Sequence, residues 1–273
     1  MSKGLKIFLK IWMFLGFAFL YIPILVIIIM SFNGTAYGMF PFKFTLEWYP
    51  YLFTKSELLP AAVLSLKFSL TVAVSAIIVG TMAAFGMQSM PERFRKGLNS
   101  AFQLPITIPW LVQGVSLLLI LNLLGIGRSY FGMFCGNVIC VLPYVVMLVL
   151  GRFAMADRTP EAAARLLGAG PVRVFFDITF PMIVPGVLAG GMMAFIVCFN
   201  SFCIQYYLAP FGVRTLPVEV FTLIKTGYKA DLNALAALMI MISLAVILLL
   251  NRMGYSGTSL FAAGTKKGKM HHD

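Results

Sequence analysis

Six long runs without a charged side chain constrain the fold more than any other feature of the sequence. Only 11% of the 273 residues are charged, whereas an average soluble domain carries about 25%. Each run holds the roughly 20 residues that a helix needs to cross the hydrocarbon core of a membrane. The sequence therefore predicts a polytopic membrane protein. The uncharged runs are residues 11–42, 68–91, 97–127, 129–151, 178–213 and 232–251.

The pattern inside these runs favours helices over the strands of a β-barrel. Apolar residues follow one another continuously, whereas the strands of a membrane barrel alternate between apolar and polar side chains. We therefore expect an all-α fold, with a single transmembrane domain over residues 1–273 and a disordered basic tail at about residues 255–273. The six predicted spans are 10–32, 60–86, 98–122, 133–151, 182–206 and 233–252.

Basic residues are distributed unequally between the two sides of the predicted spans. Fourteen lysines and arginines fall on the side that holds both termini, and six fall on the opposite side. By the positive-inside rule, both termini and the loop between the fourth and fifth spans face the cytoplasm. The net charge of +12 is then explained by topology, with membrane lipid as the partner and no need for nucleic acid.

The sequence contains no pattern typical of a catalytic or metal site. The tail segment 264–269 superficially resembles a phosphate-binding loop, but one residue is missing between its glycines and no strand precedes it. Lys67 is the only clear charge at membrane depth, away from the ends of the predicted spans, so a self-sufficient carrier or channel that uses Lys67 is an alternative interpretation. The four cysteines all lie in predicted spans and are interpreted as packing residues: Cys135, Cys140, Cys198 and Cys203.

The loop at residues 152–181 is the most informative segment. Thr159 is predicted to cap a short helix that begins at Pro160 and carries Glu161 in its first turn. Gly168 then ends that helix, and a left-handed conformation is expected there. A first helix of this kind, on the aqueous side of the membrane, suits contact with another protein.

A second short helix is predicted to follow, beginning at Pro171 and ending or kinking at Pro181. Both helices are rich in apolar residues although they lie in a loop. Such a surface needs either its own helical bundle or a partner protein to cover it. The apolar positions of the second helix are Val172, Val174, Phe175, Phe176 and Ile178.

The loop resembles the coupling loop of the permeases of ATP-driven (ABC-type) importers. That loop has the pattern Glu-Ala-Ala, three residues, Gly, nine residues, Ile, one residue, Leu-Pro. Here Glu161 stands one position early and Phe180 replaces the leucine. Similar residues also occur elsewhere, including Leu142-Pro143 and Leu216-Pro217, and are most like the spermidine/putrescine-type branch. The positions that match the loop pattern are Ala163, Ala164, Gly168, Ile178 and Pro181.

The resemblance implies a subunit of a larger assembly in the bacterial inner membrane. It implies a second, homologous permease, a periplasmic solute-binding protein and separate ATPase subunits that hold ATP and magnesium, with no cofactor in this chain. It also implies a polyamine or related amino compound as the solute, with an opine, a phosphonate or another small solute as alternatives. The residues expected to couple the chain to the ATPase are Glu161, Ala163, Ala164, Gly168, Arg173, Phe176, Ile178 and Pro181.

Uncharged polar residues within the spans are the candidates for a solute pathway, because polar groups at membrane depth face the bundle interior or a water-filled passage. Hydrogen bonding between helices is the alternative explanation. Permeases of the polyamine branch often carry acidic residues where Asn200 and Ser201 stand. At these positions the chain presents an uncharged amide and hydroxyl to a solute, where the branch presents carboxylates. The candidates are Gln113, Asn137, Asn200, Ser201 and Gln205.

Overall fold

The computed structural model describes residues 3–35, 41–227 and 230–252, and these are almost entirely helical. The described residues contain no strand beyond an isolated bridge between Asn33 and Phe44, which confirms the all-α class. The predicted tail at 255–273 lies outside the described residues. The helices are α1 Lys3–Met30, α2 Trp48–Thr54, α3 Leu58–Gln88, α4 Glu92–Thr107, α5 Trp110–Leu123, α6 Tyr130–Met155, α7 Thr159–Leu166, α8 Pro171–Val174, α9 Phe180–Phe199, α10 Phe202–Leu208, α11 Leu216–Thr226 and α12 Asp231–Arg252, with a π-helical turn at Phe175–Thr179 between α8 and α9.

Four of the described helical segments are long and apolar enough to cross a membrane: Gly4–Met30, Leu58–Gln88, Tyr130–Met155 and Pro171–Phe199. The bent pair α4 and α5 adds a fifth if the two helices count as one span. In α12, the part that qualifies as apolar is a shorter segment, Asp231–Ala245. The structure thus supports four to five of the six predicted spans.

The third predicted span, 98–122, is wrong as a single helix. The chain breaks after Thr107, and α5 leaves α4 at an angle of 104°. Pro109 has no N–H to continue the helix, and it holds the preceding Ile108 in an extended conformation with ψ 132°. The first of the two helices begins at Glu92, inside a charged stretch that the sequence-based span excluded.

The fifth predicted span, 182–206, is also wrong at both ends. The helical segment begins at Pro171 and runs without interruption through Pro181 to Phe199. There it stops, because Ser201 has a ψ of 84°, which is outside the helical region. The side-chain amide of Asn200, at the same point, donates to the Ile196 carbonyl oxygen at 2.9 Å. The separate helix α10 follows the break.

The structure divides into two compact units, and the single-domain expectation stays a prediction. The first unit comprises Met1–Leu59 and Leu223–Asp273. In it, α12 packs against both α1 and α2, and the Ser56 hydroxyl donates to the buried Asp231 carboxylate at 2.8 Å.

The second unit, Pro60–Thr222, has a core built mainly from α3, α6 and α9. Glycines bring these helices close together. A Cβ at Gly190 would lie 3.0 Å from the Val145 Cα on α6, and one at Gly186 would lie 2.9 Å from the Leu148 carbonyl oxygen. Gly186 and Gly190 therefore allow α9 to pack closely against α6.

Candidate functional site

The loop helix α7 begins with a cap that the sequence analysis assigned to the wrong residue. Thr159 is the first residue of α7. Its backbone N–H donates to Asp157 Oδ1 at 2.9 Å, and its hydroxyl donates to the same oxygen at 2.7 Å. The backbone bond has the larger effect and the hydroxyl bond the smaller one, and together they hold the pKa of the exposed Asp157 carboxyl below its usual range. A carboxylate two residues upstream therefore does the work that was predicted for the threonine.

Glu161 faces the second half of its own loop. Its Oε1 accepts a hydrogen bond of 2.7 Å from the hydroxyl of Thr179, which is buried in the π-helical turn before α9. The bond ties α7 to the start of the long apolar segment. A contact between Glu161 and an ATPase stays a prediction.

Gly168 turns the chain between α7 and α8, and its φ of +84° is in the left-handed region. The Gly168 N–H donates to the Arg165 carbonyl oxygen, and the Ala169 N–H donates to that of Ala164, both at 3.0 Å. These bonds satisfy carbonyl groups that the end of α7 would otherwise leave without partners. The predicted conformation of Gly168 is confirmed.

Large apolar side chains project from this loop into open space. Leu166 is 90% exposed, Leu167 88%, Val172 69% and Phe176 62%. In contrast, Val174 is buried, and Phe175 packs edge-on against Phe85 with 4.8 Å between ring centroids. One set of apolar residues therefore attaches the loop to the second unit and another is left uncovered within the described chain.

The other predicted coupling residues have mixed surroundings. Ala163 is exposed, whereas Ala164 and Ile178 are half-buried. Arg173 forms an exposed ion pair of 3.3 Å with Asp177, and Pro181 lies exposed in the first turn of α9. The structure brings these residues into one continuous segment. Their part in coupling stays a prediction.

The π-helical turn Phe175–Thr179 was missed by sequence reasoning. Such turns insert one extra residue into a helix and are frequent at functional sites. Here the turn connects α8 to α9 without a break, so the second half of the loop and the long apolar helix form one continuous helical segment, Pro171–Phe199. We find no residue pattern in the sequence that signals this turn.

Two of the predicted solute-pathway residues, Asn200 and Ser201, line a cavity of about 420 Å³ at the break between α9 and α10. Ser201 is only 3% exposed, and its hydroxyl has no hydrogen-bond partner among the described residues. No charged residue of the described chain lines this cavity. The lining residues are Trp110, Ile196, Val197, Asn200, Ser201, Phe202 and Cys203.

The three other candidates are buried amides that donate to backbone carbonyl oxygens, two of them on a neighbouring helix and one within its own helix. Gln205 Nε2 donates to the Cys198 carbonyl oxygen at 2.7 Å and so caps the end of α9. Gln113 donates to the carbonyl oxygen of Pro105 across the bend between α4 and α5. Asn137 Nδ2 donates to the Met133 carbonyl oxygen at 2.9 Å within α6. The bonds of Gln113 and Gln205 fit the alternative of hydrogen bonding between helices, and a role of the three residues in the pathway stays a prediction.

Trp110, a cavity residue that sequence reasoning missed, is the first residue of α5. Its position follows from the bend at Pro109, because a straight third span would have placed it in mid-helix. The signal available in the sequence was a tryptophan directly after a proline inside a predicted span. Lys67 is exposed on α3 and does not line the cavity.

The comparisons with known proteins agree with this architecture. Residues 76–255, more than half of the chain, match the family model described as "Binding-protein-dependent transport system inner membrane component". The chain belongs to this family and is the permease subunit of an ABC importer. It is a transport component, not an enzyme, and the alternative of a self-sufficient carrier is set aside on the family match.

Curated relatives carry the same kind of description. The chain is 34% identical to the putrescine transport system permease protein PotI of Escherichia coli strain K12, over 83% of each chain. It is 31% identical to the spermidine/putrescine transport system permease protein PotC of Haemophilus influenzae, over 87% of this chain and 93% of the relative.

Solved structures share the fold at lower sequence identity. A bacterial ABC transporter involved in the import of the acidic polysaccharide alginate aligns over 94% of this chain and 99% of its own chain, with a TM-score of 0.67 and 17% identity. An amino acid ABC transporter solved with histidines aligns over 76% of this chain and 94% of its own chain, with a TM-score of 0.55 and 16% identity. These similarities show the fold alone.

Proposed function

We propose that the chain forms half of the translocation pathway for a polyamine or a related amino compound, and that its loop helices transmit the movement of a separate ATPase. The single observation that carries the coupling role is the uncovered apolar side chains on a loop that is tied to a long helix. The identity with putrescine and spermidine/putrescine permeases supports the substrate class.

The proposed topology has six crossings, with the bent pair α4 and α5 as the third and α12 as the sixth. The excess of basic residues on the side of the termini supports cytoplasmic termini. The loop at 152–181 then faces the same aqueous phase as an ATPase. We further propose that a second, homologous permease completes the pathway, that a periplasmic binding protein delivers the solute, and that ATP and magnesium bind to the ATPase subunits alone.

The surface of Leu166, Leu167, Val172 and Phe176 suits a protein groove. Burying one such side chain removes apolar area worth about 1.5–3 kcal/mol from water. A charged group at the same position would have to lose its hydration on docking. Glu161 supports the coupling role from inside the loop, because its bond to Thr179 holds α7 against the helical segment Pro171–Phe199.

Co-purification of the ATPase tests the coupling role. Leu167→Asp should reduce the ATPase recovered with the permease by at least about tenfold, since the loss of apolar contact and the cost of the charge add. Leu124→Asp is the matched control, because Leu124 is an exposed leucine in the turn after α5. Equal recovery with wild type and Leu167→Asp, at equal membrane abundance, would exclude docking through this surface.

Uptake of labelled putrescine and spermidine by cells with the complete transporter tests the substrate class. Asn200→Asp places a carboxylate in the cavity, so the KM for spermidine should fall by about fivefold and that for putrescine by less. Asn122→Asp is the control at an exposed position on α5 that does not line the cavity. Absence of uptake of both amines by wild type would refute the proposed substrate.

A further inference from the structure

We infer that Trp110 forms an ammonium-binding wall of the cavity between α9 and α10, and that this wall replaces the carboxylates expected for a cationic solute. The inference rests on the proposed function and deepens it. It concerns a residue outside the predicted pathway and assigns it the recognition of a protonated alkylamine.

The polar groups at the cavity are hydrogen-bond acceptors that carry no charge. Asn200 Nδ2 is engaged with the Ile196 carbonyl oxygen at 2.9 Å, which leaves Oδ1 as its acceptor. The Ser201 hydroxyl lies at the same break and has no partner among the described residues. An unpartnered hydroxyl so little exposed loses a hydrogen bond unless a ligand supplies it. An ammonium group in the cavity supplies a donor to Asn200 Oδ1, and it reaches the Ser201 oxygen only when that side chain rotates toward the ligand.

The aromatic side chains supply the remaining attraction. Trp110 is 41% exposed and lines the cavity together with Phe202. The indole face is the strongest aromatic partner for a cation. Phe202 is held by Phe221, with 4.6 Å between ring centroids, and by Tyr206 at 5.3 Å. The wall beside Trp110 is therefore largely preformed.

The end of α9 contributes an electrostatic bias. The carboxyl end of a helix carries partial negative charge. Ile196 and Val197 in the last turn of this 20-residue helix, and Asn200 directly after it, line the cavity. The apolar side chains among the lining residues suit the methylene segment of an alkylamine. An amine with one methylene chain matches this combination better than an anion.

Kinetics of uptake by the complete transporter test the inference. Trp110→Leu should raise the KM for putrescine by about three- to tenfold, the range that loss of one partly desolvated cation–π contact produces, with little change in the maximal rate. Trp110→Tyr should recover part of the loss, because a second aromatic ring restores the attraction. Trp12→Leu is the control, since Trp12 is an exposed tryptophan on α1. Membrane abundance of each variant is measured in parallel.

Binding is read independently of transport from the fluorescence of Trp110. In a Trp12→Phe, Trp48→Phe background this is the single tryptophan of the chain, and putrescine should change its emission in the purified permease. Butane-1,4-diol, which has the same chain length without charge, should not. The amino end of α5 also begins at Trp110 and favours a carboxylate, so 4-aminobutyrate is the third probe.

The outcomes separate this inference from the proposed function. A wild type that takes up putrescine, with a KM unchanged within twofold in Trp110→Leu, would overturn the inference and leave the substrate class standing. Stronger binding of 4-aminobutyrate or of the diol than of putrescine would overturn it as well. A wild type that transports no amine would refute the substrate class, and the ammonium wall with it.

Discussion

Gly168→Ala isolates the contribution of one backbone conformation to the loop. A Cβ at Gly168 meets nothing within 4 Å, so the substitution introduces no clash. Its cost comes from the φ of +84° alone, and an L-residue in the left-handed region costs roughly 1–2 kcal/mol. The turn between α7 and α8 should therefore open about 5- to 30-fold more often.

Hydrogen–deuterium exchange of the purified transporter measures this opening. The Ala169 amide, which bonds to the Ala164 carbonyl oxygen across the turn, should exchange faster by that factor, whereas the core amides of α6 should not change. Gly168→Asn should have a smaller effect, because asparagine tolerates the left-handed region better than alanine. If the loop couples to the ATPase, uptake should fall in the same order.

Gly170→Ala is a closely matched control for this prediction. A Cβ at Gly170 also meets nothing within 4 Å, but its φ of −67° suits any residue. The substitution should leave exchange unchanged or slow it, since alanine reduces the freedom of the unfolded chain. Equal acceleration in Gly168→Ala and Gly170→Ala would refute the argument, because backbone strain is then not the cause.

Three further predictions concern the same loop and the topology. Glu161→Ala should accelerate amide exchange in α7 about tenfold, because a hydrogen bond to a charged acceptor contributes roughly 1.5 kcal/mol. Thr179→Val should have the same effect, and the double variant should exchange no faster than either single variant. Additive effects in the double variant would show that the 2.7 Å bond between the two side chains is not the cause. The pKa of the Asp157 carboxyl is lowered in the folded chain, so its hydrogen bonds to Thr159 should stabilise α7 fully above the unfolded pKa of about 3.9. This stabilisation should be lost as the pH falls through the lower folded pKa. Amide exchange or circular dichroism measured against pH should show this loss in wild type, and Asp157→Asn should remove the pH dependence. A cysteine in place of Lys55 should react with an impermeant thiol reagent added outside cells, and one in place of Lys267 should not; the reverse labelling pattern would overturn the proposed orientation.

Much of the fold and of the coupling loop was predictable because these features depend on local composition. A long run of apolar residues stays apolar in any conformation. Inside a membrane its backbone groups must bond to one another, and only a helix or a closed barrel allows this. Gly168 is predictable for the same reason, since glycine adopts positive φ at little cost. The start of the second loop helix at Pro171 followed from the fixed φ of proline.

Tertiary structure decided the features that depend on which groups meet. The inward bond of Glu161 exists because the π-helical turn presents Thr179 to it, and no sequence pattern signals that turn. The polar candidates looked alike in sequence, yet Gln113, Asn137 and Gln205 are buried and donate to backbone carbonyl oxygens. Asn200 and Ser201 instead line the cavity. Trp110 lines the cavity because the chain bends by 104° between α4 and α5. Sequence determines how polar a segment is, whereas partner and cavity depend on distances between residues far apart in the chain, which only packing sets.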